Sequence, residues 1–135
     1  MQTFLPFPDY EKSAFVLDRL RLGKQRVEVL QLLKAIHEGG SWSNHPAARM
    51  WRGYENALCL YGVTMCSEWI KRGYKDTCAE KISVYFNPGF SCEEPSWFGD
   101  ESFHQSHRSN LLRKDFNHYS EYFNESIDLP YIWPV

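Results

Sequence analysis

The run KQRVEVLQLLKAIHEGG, residues 24–40, constrains the fold more than any other stretch of the chain. Val27, Leu30, Leu33 and Ile36 recur at three-residue steps, the spacing of a helix with one apolar face, and the Gly39-Gly40 pair stops it. A helix of that length cannot stand alone in water, because its stripe must be buried against other elements. The remaining segments therefore have to supply partners, and most of them also read as helix.

The opening TFLPFPDY carries Pro6 and Pro8 and is expected to be extended. Asp9 suits an N-cap, and YEKSAFVLDRL has amphipathic helical spacing, with Gly23 as a point of punctuation or kinking. In SWSNHPAARMWRGYENALCLYGVTMCSEWIKRGY, Asn44 is the expected cap and Pro46 the first turn of a further helix. Gly53 and Gly62 predict one bend or break there. DTCAEKISVYF is expected to be helical, NPGFSCEEPSWFGD a loop, and DESFHQSHRSNLLRKDFNHYSEYF helical again. IDLPYIWPV should be an extended tail packed on the body. Strand signals are scarce. The expected fold is all-α: a compact helical bundle forming one domain over 1–135, with extended N- and C-terminal segments.

Composition narrows the functional classes. Hydrophobic residues at 43% and aromatics at 16% exclude a disordered chain. A formal net charge of −2 excludes a surface that attracts nucleic acid everywhere, yet it permits a local cationic cleft. Cys59, Cys66, Cys78 and Cys92 form no C-x-x-C pair, and MQTFLPFPDY lacks the pattern of a signal peptide. Four free, buried thiols in a cytoplasmic protein are the expectation, with no membrane span.

Three segments concentrate groups capable of chemistry. In DRLRLGKQRVE, Lys24, Glu28 and Gln31 share one helix face, with Arg21, Gln25 and Arg26 alongside. They read either as a solvated face with one i,i+4 ion pair or as the wall of an anion-recognising pocket. In SFHQSHRSNLLRK, His104, His107, Arg108, Asn110 and Lys114 suit an anion site of imidazole, guanidinium and amide donors. Histidines at i,i+3 can share a metal ion, but only Asp100 is near enough to help, so no metal and no cofactor is expected. In NHPAARMWRGYE, His45 stands at a helix start, where the helix dipole favours neutral imidazole. Trp51 and Tyr54 read either as core or as stacking surfaces for a base.

These residues also carry a resemblance. MQTFLPFPDY, LDRLRLGKQRVEVLQ, NHPAARMWRGYENAL, WFGDESFHQSHRSNLLRKD and DLPYIWPV together resemble a widespread family of small bacterial and phage proteins. More distantly, LGKQRVE, HPAARMWRGY and KRGYKDT, between Leu22 and Tyr74, resemble the pyrimidine-dimer DNA glycosylase family, typified by the phage endonuclease V. That resemblance implies a compact all-helical protein with an N-terminal α-amine as nucleophile on a sugar C1′ and a glutamate assisting cleavage. Two positions depart from the family pattern. Gln2 is too large a second residue for ready removal of Met1, and Val27 stands between Arg26 and the carboxylate of Glu28, turning it by about 100° on a helix.

Two readings follow. In the first, the chain recognises nucleic acid or a nucleotide, in enzymatic form as a DNA glycosylase/AP lyase acting on damaged or modified pyrimidines. Glu28 would assist, and Met1 or Lys24 would supply the amine. In the alternative, it is a non-catalytic binder that sequesters a small phosphorylated ligand such as a nucleotide or nucleotide-derived signal. Either way DNA or a nucleotide is the expected partner, and a homodimer is allowed.

Overall fold

Asp9 accepts a hydrogen bond from the Lys12 N–H at 2.8 Å and starts α1 (Tyr10–Val16). In the computed structural model, which describes Met1–Val135, that helix ends sooner than YEKSAFVLDRL suggested. Leu17 is extended, and Asp18 caps a new helix, α2 (Arg19–Glu38), by accepting from the Arg21 N–H. The competing signal was Asp18 itself: an acceptor that satisfies an orphan N–H is worth more as a cap than inside a turn. Helix α2 then runs unbroken through Gly23. A Cβ there would lie 2.9 Å from Cη2 of Trp69, so the glycine seats an indole and does not punctuate the helix.

Gly39, at φ 79°, closes α2. A 3₁₀ turn, Ser41–Asn44, leads to α3 (Pro46–Trp51). Its N-cap is His45, whose Nδ1 accepts from the Ala47 N–H at 3.0 Å, in place of the expected Asn44. Gly53 supplies the positive φ that separates α3 from α4 (Glu55–Lys71). Gly62 does not break α4. It lies where α4 crosses α2, and an added Cβ would come within 2.6 Å of Val29 Cγ1. Helix α5 is confined to Cys78–Ser83, because Tyr85 N–H turns back to Ile82 C=O at 3.0 Å. Asp100 caps α6 (Glu101–Lys114), and Asp115 caps the short α7 (Phe116–Tyr119).

The elements are all helical, with no strand. One apolar cluster runs from Phe4 to Phe123, and its largest fully buried members are Trp51, Tyr61, Tyr119 and Phe103. The tail has no regular structure, and its Tyr131 and Trp133 lie against this cluster. The cysteines are free. Three are buried, and Cys92 is exposed, contrary to the sequence expectation of four buried thiols. No helix is long and apolar enough to cross a membrane.

Gly62 gives a direct test of the α2–α4 crossing. Gly62→Val should destabilise the fold by about 3 kcal/mol, the upper end of overpacking costs. In urea titration the midpoint should fall with an unchanged slope. A midpoint equal to that of the wild type would mean that the two helices can part without cost.

Candidate functional site

Residues 2–6 have no regular structure, are buried and have no neighbouring strand, so their backbone groups need other partners. Side chains supply them. Gln2 N–H donates to Glu28 Oε2 at 3.1 Å, and Gln25 Nε2 donates to Gln2 C=O at 2.9 Å. Phe4 N–H donates to Gln25 Oε1 at 3.0 Å, while the Tyr61 hydroxyl lies 2.8 Å from Phe4 C=O and 2.6 Å from Gln25 Oε1. From the other side, Leu5 N–H donates to His107 Nδ1 at 2.9 Å. His104 Nε2 accepts from Gly99 N–H at 3.0 Å, which fixes the proton on Nδ1 for donation to Leu5 C=O at 2.8 Å. Arg108 donates to Pro6 C=O at 2.8 Å and is itself paired with Glu101 and Glu125.

This double grip places Met1 at the rim of a hollow of about 390 Å³. Helix α2 contributes Leu20, Arg21, Lys24, Gln25 and Glu28, the N-terminal segment contributes Met1, Gln2 and Phe4, α6 contributes Lys114, and the tail contributes Tyr131 and Trp133. The two oxygens of Glu28 have different surroundings. Oε2 is held by Gln2 N–H and by Gln25 Nε2 at 3.2 Å, whereas Oε1 faces the Lys24 ammonium at 3.7 Å. Arg21 pairs with Asp18 at 3.2 Å. The His45 ring packs edge-on against Trp133 at 5.8 Å. Its pKa is lowered first by burial and then by the α-amine of Met1, with Glu28 acting in the opposite sense. The direction agrees with the sequence reading, but the cause is burial and a neighbouring amine.

Other candidates point elsewhere. Arg26 turns to the far side of α2, where it pairs with Asp76 and lies 4.4 Å from the Trp69 ring centroid. Burial raises the Asp76 pKa, but hydrogen bonds from Ala79 N–H and Arg26 outweigh it and hold the carboxyl below its ordinary range. Gln31 is exposed on α2. Trp51 lies in the core and donates to Thr3 Oγ1 at 2.9 Å, and Tyr54 packs on the core just before α4. Asn110 donates to Ser106 C=O and Leu129 C=O. His104, His107 and Arg108 do not line the hollow; they hold the segment that ends in it. A larger cleft of about 640 Å³ between α1 and α4, lined in part by Phe15, Val63 and Tyr122, contains none of the predicted groups.

Sequence reasoning missed Gln2, Phe4, Leu20, Tyr131 and Trp133 as parts of the hollow. The aromatic pair in the tail was the available signal, since an indole and a phenol near a chain end need a surface to cover.

The family model described as pyrimidine dimer DNA glycosylase matches residues 1–81. No curated protein and no solved structure matches the chain. The matched residues include Met1, Arg21, Lys24, Gln25 and Glu28, while Lys114, Tyr131 and Trp133 lie beyond them.

The buried histidines make stability depend on pH. Burial, with His104 nearby, pushes the His107 pKa down to about 3, and burial also lowers that of His104. Between the unfolded value near 6.5 and these lower values, the unfolded chain binds protons that the folded chain does not. Stability is therefore complete above about pH 6.5 and falls as the pH drops, by up to about 1.4 kcal/mol per unit for each histidine. Urea unfolding at pH 7 and pH 5 measures this slope, and His107→Gln should reduce it. An unchanged slope would place the charge-sensitive groups elsewhere.

Proposed function

Because the chain belongs to the pyrimidine dimer DNA glycosylase family, we propose that the hollow beside Met1 is the active site of a DNA glycosylase with lyase activity on a damaged or modified pyrimidine. The supporting observation is the asymmetry of Glu28. One carboxylate oxygen is anchored by the chain's own second residue, and the other lies 3.7 Å from the ammonium of Lys24, both residues lining the hollow. A volume of about 390 Å³ falls within the usual range for small-molecule sites, about 300–1,000 Å³. A base extruded from a duplex would enter among Leu20, Tyr131 and Trp133, with Lys24 and Lys114 available to phosphates.

In this reading the unprotonated α-amine of Met1 attacks C1′ of the deoxyribose. The N–C1′ bond forms as the bond from C1′ to the base breaks, and the base leaves with the electron pair and gains a proton. Loss of the amine proton and opening of the sugar ring give an imine. Removal of a C2′ proton then breaks the C3′–O bond and cuts the strand. Oε1 of Glu28 would stabilise the cationic sugar and move protons, while Oε2 stays committed to the chain terminus. α-Amines as a class are weaker bases than lysine side chains, which favours Met1 over Lys24 as nucleophile at neutral pH.

Borohydride reduction of the protein mixed with an abasic-site duplex should trap a covalent adduct, with the sugar mapping to Met1 by peptide mass. Glu28→Gln keeps an oxygen to accept from Gln2 N–H, yet should slow adduct formation by about 10²–10⁴-fold. An adduct on Lys24 would reassign the nucleophile. No adduct at any pH, together with salt-tolerant binding of a mononucleotide, would replace the lyase with a binder of small phosphorylated ligands.

A further inference from the structure

We propose that Gln25 is a positioning residue of this site: its carboxamide sets both the orientation of Glu28 and the seat of the chain terminus. The inference rests on the reading of the hollow just given and extends it to a side chain that acts only through its neighbours. Gln25 is 1% exposed, and every hydrogen-bonding position of its amide is used. Oε1 meets Phe4 N–H and the Tyr61 hydroxyl, and Nε2 donates to Gln2 C=O and Glu28 Oε2. Turning the amide over would set its oxygen against a carbonyl and a carboxylate, two acceptors with no proton between them. Its orientation is therefore fixed, and Glu28 Oε2 is fixed with it.

The charged and titratable groups facing this arrangement come from several elements. Arg21 and Lys24 lie on the same helix, the Met1 amine and His45 face it from the N-terminal segment and the start of α3, Tyr61 from α4, Lys114 from α6 and Tyr131 from the tail. Burial, and then the Glu28 charge, pushes the Tyr61 pKa well up, so its hydroxyl remains a donor across the working range.

Gln25→Glu is nearly isosteric and separates positioning from mere packing. Its second oxygen replaces Nε2 against Gln2 C=O and Glu28 Oε2, so the two carboxylates must share one proton to preserve the contacts. The single-turnover rate of imine formation, as a ratio of variant to wild type, should rise as pH falls. It should approach about tenfold per unit on the limb of that one-proton ionisation, with KM little changed. Gln25→Met, which cannot hydrogen-bond, should be slow at every pH. Hydrogen exchange provides a reading independent of catalysis: the Gln2 and Phe4 amides should lose at least about tenfold protection in Gln25→Met, while Phe4 stays protected in Glu28→Gln. A flat rate ratio across pH, or unchanged protection in Gln25→Met, overturns the inference while leaving the nucleophile assignment intact. A wild type that forms no adduct overturns the reading of the hollow, and with it any catalytic part for Gln25.

Discussion

The structure depends on how the backbone of residues 2–6 is satisfied. A buried segment outside any helix commonly finds its hydrogen bonds in a sheet, and this protein has none. Gln25 and Glu28 on α2, Tyr61 on α4 and His104, His107 and Arg108 on α6 replace the missing strands, donor to acceptor and acceptor to donor. Each bond contributes only about 1 kcal/mol net, but each one left unmade in a dry interior costs about 1–3 kcal/mol. The set therefore acts as a unit. It explains why so many polar side chains are buried on helices that would otherwise present only apolar faces.

That arrangement also decides what is left for chemistry. On α6, His104, His107 and Arg108 are committed to the chain's own carbonyls and amides, so the hollow takes its open charges from α2, from Lys114 at the end of α6 and from the terminus. Glu28 belongs to both groups, one oxygen holding Gln2 N–H and the other paired with Lys24 at the hollow. The residues matched by the glycosylase family model include both Glu28 and the segment that holds it.

The helices were legible in the sequence because their signals are local. Asp9 and the Gly39-Gly40 pair mark ends that the structure reproduces, and the all-helical class was legible, but the stripe on α2 was misplaced: Val27 is exposed, and Leu22, Val29, Leu32 and Leu33 form the buried face. Details failed where a distant residue decides. Gly23 read as punctuation because Trp69, its true partner, is 46 positions away (69 − 23). His104 and His107 read as an anion site because no local pattern shows a histidine ring aimed at a backbone about 100 residues earlier. Lys24, Gln25 and Glu28 were found as a polar cluster. Their division into an orienting amide, a split carboxylate and an exposed cation depends on Gln2 and Phe4, which carry no chemical signature of their own.

The span between Leu5 and its partners has a consequence for biosynthesis. Leu5 and Pro6 are held by side chains that are made later, since His104, His107 and Arg108 follow them by about a hundred positions. Until α6 emerges, this segment of the nascent chain has no place to dock from that side. Contacts to α2 supply one side of the seat of Met1, and the other side waits on a helix about a hundred residues further along.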